Sequence, residues 1–233
     1  MTGVSSRHGG VTRWVTRELS GTVMAGLILI AASGRRNWTA GWALVGVYAA
    51  AFVAQAIILM PRNPDLLADR SERMRRGTKS WDRALLPFYG ISTLMLLVVA
   101  GLDQRFGWSH PLPCWARRAG LGLALLGNGL VTWSMAANAF FSFSVRLWNE
   151  RGQSVVTSDP YSLVHHPGYN GADLFAPGSA MSPGSAWSLL PIASAVLLLI
   201  IRTLLEDRTL KAELEGYADY AHRTQFRLLP GMW

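Results

Sequence analysis

The sequence predicts an all-α, polytopic integral membrane protein. It should have four spanning helices, then a helical hairpin interrupted by Pro and Gly (about five to six membrane helices in all), and a cytoplasmic C-terminal helix. Three observations predict this. Half of the 233 residues are apolar and only 15% are charged, where a soluble domain carries about 25% charged residues. The apolar residues gather into blocks instead of spreading along the chain. The basic residues fall unevenly on the two sides that those blocks define.

The blocks run in order over residues 19–32, 39–60, 84–102, 121–141 and 186–201. About 20 predominantly apolar residues are needed to cross the hydrocarbon core. The second, third and fourth blocks satisfy that. The first is short and is expected to need tilting, local thinning or snorkelling by Arg17 and Arg35. Arg7, Arg13 and Arg17 ahead of it, with Ala31, Ala32 and Ser33 behind, also imitate a secretory signal; a retained first span is the expectation. Residues 61–83 contain Asn63-Pro64-Asp65, then alternating charges among Leu66, Leu67 and Met74. They predict either a short interfacial helix or a solvated loop.

Residues 171–201 are apolar but interrupted at Pro177-Gly178 and at Ser182-Pro183-Gly184-Ser185. Pro removes a helix donor and Gly supplies turn geometry. The pattern predicts a hairpin entering near Gly171, turning around Pro183-Gly184 and returning through residues 186–201. One long irregular crossing is the alternative, and it would separate the polar segments on either side.

With the hairpin, the N-terminus and residues 62–83, 142–170 and 202–233 share one side, which then holds 17 of the 22 Lys and Arg residues. That is the positive-inside pattern, with both termini cytoplasmic. It also accounts for the formal charge of +8 without nucleic acid. Cys114 is the single cysteine, so an intrachain disulfide and a cysteine cage for a metal are both excluded. No internal repeat or linker divides the chain, and residues 1–233 form a single membrane domain in this reading.

Two segments are too polar for membrane packing alone. One runs from Asn138 through Arg146 and Glu150-Arg151-Gly152 to Asp159-Pro160-Tyr161 and His165-His166-Pro167-Gly168-Tyr169. The other runs from Arg202 through Glu206-Asp207, Leu210, Tyr217 and Tyr220 to Arg227 and Pro230. Asp159-Pro160-Tyr161 followed by His166-Pro167-Gly168-Tyr169 resembles the Gly-Pro-Tyr … Arg-His-Pro-x-Tyr signature of the isoprenylcysteine carboxyl methyltransferase family. The paired acid Glu206-Asp207, the spaced tyrosines and Arg227-x-x-Pro230 resemble its C-terminal pattern. Asn63-Pro64-Asp65-Leu66-Leu67 and Thr78-Lys79-Ser80-Trp81-Asp82 are similar to stretches of bacterial members. The resemblance spans roughly residues 60–233 and is densest after Asn138. Three positions depart from it: Asp159 replaces the usual Gly, His165 the usual Arg, and Gln153 a frequent His.

The resemblance implies an S-adenosylmethionine-dependent methyltransferase in the inner (plasma) membrane of a bacterium, with its active site facing the cytoplasm and residues 138–233 forming the cofactor-binding and catalytic region. The acceptor would be a lipophilic small molecule or a prenylated species taken from the bilayer, of isoprenoid type or bearing a carboxylate. Tyr161, His165, His166, Pro167, Tyr169, Glu206 and Tyr217 are the implied cofactor residues. Asn138, Arg146, Arg202 and Arg227 are implied on the acceptor side, and Arg202 with Glu206 in catalysis. Physical chemistry agrees with this assignment. A carboxylate acceptor is already ionised at neutral pH and needs a cation to orient it. A sulfonium is drawn to aromatic faces. Arg202, Glu206, Leu210 and Glu213 share one helical face by spacing, and a surface salt bridge between Arg202 and Glu206 is the plainer alternative.

Two other readings compete with methyl transfer. A membrane sterol or enone reductase using NADPH carries a similar His-Pro-x-Tyr and tyrosine-rich end, and a non-catalytic lipid-binding or transport protein would explain the helices alone. No metal is expected, because adjacent histidines on a regular element point apart and other ligands are scattered. His165 is read either as a cavity residue or as an exposed loop residue. Gly120, Gly122, Gly127 and Gly129 are expected to let helices approach closely. Asn128 and Asn138 are expected to bond to neighbouring helices, and Trp38, Trp108 and Trp115 to anchor at interfaces.

Overall fold

The computed structural model describes residues 2–72, 77–148 and 152–231, with side chains from His8 onward. Among them are eight helices and no strand: α1 Thr2–Ser33, α2 Thr39–Arg62, α3 Pro64–Arg70, α4 Ser80–Phe106, α5 Cys114–Ala137, α6 Pro167–Met181, α7 Leu189–Glu213 and α8 Tyr217–Arg223. Five of these, α1, α2, α4, α5 and α7, are long and apolar enough to cross a membrane. Their outward faces carry Leu27, Ile57, Phe88, Leu126 and Leu197, all more than half exposed. In water such a surface would be a liability; against lipid it is the expected belt.

The first span is longer than its apolar block. α1 continues toward the N-terminus through Val11, Trp14 and Val15, which meet Leu59, Leu66 and Leu67 around a fully buried Trp14. The polar residues between them sit on the remaining faces, which is why the continuous apolar block begins only at residue 19. A Cβ on Gly10 would lie 2.4 Å from the Cβ of Ala68, so α1 and α3 touch at a glycine. Of the two readings of residues 61–83, the short helix is found, as α3. Pro64 opens it at its first turn, where no N–H is needed, and Asp65 suits its positive end. Asn63 Nδ2 donates to the carbonyls of Met135 and Ala136 at 3.2 Å, satisfying the open end of α5. Met74 lies outside the described residues.

The hairpin is α6 and α7, turning through residues 182–188 around Pro183-Gly184. Pro177-Gly178 does not interrupt it, contrary to the sequence expectation: α6 runs unbroken through both. A membrane helix tolerates Pro where neighbours fill the gap, and here α5 does so. A Cβ on Gly178 would lie 2.5 Å from Ala124 N, one on Gly171 2.6 Å from Gly127 O, and one on Gly120 2.7 Å from Met181 Cβ. The α5–α6 seam is therefore backbone against backbone, as small residues permit. Gly122 and Gly129 face open space and take no part. The fourth block also ends earlier than its apolar run: α5 stops at Ala137, and Phe140 and Phe141 lie beyond it. Asn128 accepts from Gln55 of α2 at 3.1 Å, whereas Asn138 bonds to Tyr161 in a loop and not to a helix.

Because α6 and α7 return the chain, residues 62–72, 77–83, 138–148, 152–166 and 214–231 gather at one end of the bundle. The opposite end is fastened by Asp103, buried on α4. Its carboxylate accepts from Ser109 N (2.7 Å), Ser109 Oγ (2.6 Å) and Ser185 Oγ (2.6 Å), tying the hairpin turn to α4.

Candidate active site

The end that collects the loops also holds an open pocket, with about 800 Å³ of empty space including its mouth. α5 contributes its C-cap Asn138, α6 its first turn with Tyr169, and α7 its last turns with Glu206, Leu210 and Leu214. α8 brings Tyr217 and Tyr220, and the loop after α5 supplies Phe141, Arg146, Gln153 and Tyr161. His165 and His166 also line it. Of the residues assigned from sequence to cofactor, acceptor or catalysis, Pro167, Arg202 and Arg227 do not line the cavity.

Glu206 and Asp207 are neighbours in sequence and opposites in environment. Glu206 accepts a short hydrogen bond from Tyr169 OH and otherwise faces the pocket. Asp207, 2% exposed, is enclosed. Tyr217 OH donates to its Oδ1 at 3.1 Å. Lys211 Nζ lies 2.9 Å and Arg227 Nε 3.1 Å from its Oδ2. His165 Nδ1 lies 2.9 Å and His166 Nε2 3.9 Å from its Oδ1.

The histidines therefore converge on one carboxylate, where the sequence reading had them pointing apart. The reason is local: residues 162–166 are irregular, and helix α6 starts only at Pro167, so the alternation of a regular element does not apply. His165 is buried and not an exposed loop residue. Its Nε2 meets the carbonyl of Thr224, so one imidazole spans α7 and the C-terminal segment, at the position where the family usually has Arg. The backbone completes the strap: His165 N donates to Phe226 O at 2.9 Å and His166 N to Arg227 O at 3.0 Å. His165, His166 and Asp207 do present ligand atoms within 4.8 Å of one another. Lys211 and Arg227 on the same carboxylate make that spot hostile to a metal cation, since like charges at this separation repel strongly away from water.

Arg202 is not paired with Glu206, as its i, i+4 spacing suggested. Its Nε donates to Asp82 Oδ1 at 2.7 Å, and its Nη2 to Asp82 Oδ2 at 3.3 Å and to Phe143 O at 2.7 Å. Asp82 is completely buried and also accepts from Val145 N at 2.7 Å. The α7 face divides accordingly: Arg202 turns to α4, Glu213 takes Lys79 at 2.7 Å, and Glu206 and Leu210 keep the pocket. Asp82 had no role in the sequence reading beyond the Thr78–Asp82 stretch that resembles bacterial relatives. Its signal was an acid at the threshold of a span, where a charge is expected to be paired or used. Arg146 stacks 3.3 Å over Trp148 and holds Asp69 at 3.2 Å.

Gln153 accepts from Trp148 N at 2.8 Å; Asn149, Glu150 and Arg151 lie outside the described residues. Ser162 donates to Asp159 at the surface, away from the cavity. Burial pushes the phenols of Tyr161, Tyr217 and Tyr220 above the ordinary tyrosine range. The carboxylates of Asp207 and Glu206 add to the effect at Tyr217. These phenols stay neutral, and as neutral groups they serve as hydrogen-bond donors and as aromatic faces.

Residues 115–215 match the family model described as PEMT, phospholipid methyltransferase. That family includes integral membrane methyltransferases of the isoprenylcysteine carboxyl methyltransferase type. The matched stretch is somewhat less than half of the chain, yet it contains every pocket-lining residue except Tyr217 and Tyr220. No curated protein matches the chain closely. Residues 115–215 are therefore similar to a family of membrane methyltransferases.

Proposed function

We propose that this protein transfers a methyl group from S-adenosylmethionine, drawn from the cytosol, to a lipophilic acceptor drawn from the bilayer. The observation that carries the proposal is the pocket at the basic end of the bundle. It is lined by tyrosines and by one carboxylate with acceptor capacity to spare, and all of its lining except Tyr217 and Tyr220 lies within the segment that matches the methyltransferase family.

The residues fit that donor. Its sulfonium suits the rings of Tyr161, Tyr169 and Tyr217, because aromatic faces attract cations. Glu206 has lone pairs left after Tyr169, which suits ribose hydroxyls or an ammonium group. When bound, the donor supplies an activated methyl group. The chain's own contribution is position: near-attack placement of two reactants removes several kcal/mol from a barrier. Tyr169 fixes the Glu206 carboxylate. Asp207 fixes Tyr217, His165 and Arg227, so the wall formed by the C-terminal strap keeps its place. Arg202 acts as a positioning residue, locking α7 to α4 and to the loop at Phe143. Asn138 and Arg146 remain at the cavity on the acceptor side. The acceptor itself is of isoprenoid, carboxylate-bearing or phospholipid type.

The pocket shares its end of the bundle with most of the basic residues, so the positive-inside rule puts it and both termini in the cytoplasm. The test is a titration of the purified protein, without added metal, with S-adenosylhomocysteine and separately with NADPH. It is followed by methyl transfer from radiolabelled donor to fractionated membrane lipids. Saturable binding of the nucleoside thioether and label in a lipid fraction are expected. Binding of NADPH alone would turn the assignment to a reductase, and binding of neither to a non-catalytic role.

A further inference from the structure

Four arginines stand around the junction of α1, α3, α4 and α7, and three of them have an acid in contact. Arg17 holds Glu18, Arg146 holds Asp69 and Arg202 holds Asp82. Arg70, at the last turn of α3, has no carboxylate within salt-bridge distance and no side-chain hydrogen bond among the described residues. Its guanidinium carbon lies 5.4 Å from the ring centroid of Phe141. Phe141 lines the pocket and packs so closely on Gly168 that a Cβ there would come within 2.2 Å of the ring.

The surroundings leave Arg70 with a surplus of positive charge. Arg17 donates to the backbone carbonyl of Arg70, which pins the end of α3 and brings a second cation to it. Burial lowers Arg70 from the ordinary arginine value to about 10; Glu18 and Tyr169 act against that shift, and Arg17 and Arg202 add to it. From Ser33 to Arg17, α1 rises about 24 Å, against a hydrocarbon core of about 30 Å. With Ser33 at the far interface, Arg17 and Arg70 lie about 6 Å inside the near edge of the core, from which a long basic side chain reaches the lipid headgroups. A guanidinium presents a planar fork of donors that matches carboxylate and phosphate oxygens.

We propose that Arg70 anchors the anionic group of an amphiphilic acceptor, a carboxylate or phosphate carried on an apolar chain, beside Phe141 at the membrane edge of the pocket. This rests on the methyltransferase reading and names the charge class of its acceptor. The anion supplies the counter-charge that the other three arginines already have, while the apolar chain stays in the lipid.

The test uses the full chain in phosphatidylcholine nanodiscs. Farnesyl monophosphate, farnesoic acid and farnesol serve as probes sharing one chain, and inorganic phosphate represents the free anion. Wild type is expected to bind the phosphate and the acid at least tenfold more tightly than the alcohol. Arg70→Gln should remove that preference while leaving farnesol affinity and S-adenosylhomocysteine affinity unchanged, and Arg70→Lys should restore part of it. Persistence of the preference in Arg70→Gln overturns the proposal. So does a fall in melting temperature with the preference intact, which would mark Arg70 as structural. Equal binding of inorganic phosphate would overturn the amphiphile class. Absence of S-adenosylhomocysteine binding in wild type would instead defeat the methyltransferase reading, and the probe series reads out Arg70 independently of it.

Discussion

The two ends of the bundle both bury carboxylates, and they use them differently. At the hairpin turn, Asp103 is satisfied by neutral donors from Ser109 and Ser185. Small hydroxyls on short side chains hold the turn against α4. At the other end, Asp82 and Asp207 meet arginine, lysine and imidazole, and Glu206 is left with a single tyrosine over a pocket. The difference separates fasteners from a binding group. A carboxylate whose lone pairs are all taken fixes structure. One with capacity to spare, facing a cavity, is available to a ligand.

The comparison is tested most severely at Asp207. Removing one partner of a buried ion pair costs about 3–5 kcal/mol, and Asp207→Asn strips the counter-charge from Lys211 and Arg227 together. A large fall in the thermal unfolding midpoint is expected, with loss of S-adenosylhomocysteine binding because the strap over residues 224–228 loosens. Unchanged melting would mean that this network is not a fastener.

Asp103→Ala should cost less, about 1–3 kcal/mol for the buried hydroxyls it leaves unpaired. It should leave ligand affinity intact, since the pocket is at the other end. A matching loss of affinity would show that the two ends are not independent.

The smallest effect is alkaline. The phenols of Tyr161, Tyr217 and Tyr220 are raised by burial. Below the unfolded tyrosine value of about 10 they are neutral in both states, and stability does not depend on them. Above it the unfolded chain loses its protons first, so stability falls as pH rises. Melting followed from pH 8 to 11 should show this decline, and it should be shallower in Tyr217→Phe.

Much of this arrangement is legible in the sequence because hydrophobic blocks and charge asymmetry are local properties. The spans, the hairpin and the cluster of Asn138, Tyr161, Tyr169, Glu206 and Tyr217 follow from them and from the family resemblance. What is not legible depends on contacts distant in sequence. Arg202 and Glu206 sit at salt-bridge spacing, but Asp82, 120 positions from Arg202, claims the guanidinium. The histidines converge because the chain before Pro167 is irregular, and no spacing rule reports that. α1 gains its extra turns from Trp14 and Gly10 packing on α3, and a hydropathy window does not register such packing. Pro177 stays helical because Gly178 lets the α5 backbone fill in beside it.

The most direct test of the account compares Glu206→Gln with wild type by calorimetric titration of S-adenosylhomocysteine, with melting measured on the same samples. The account predicts at least a tenfold loss of affinity, about 1.4 kcal/mol, with the melting temperature held near that of wild type. Wild-type affinity in Glu206→Gln, or a loss that only follows a fall in melting temperature, would contradict it.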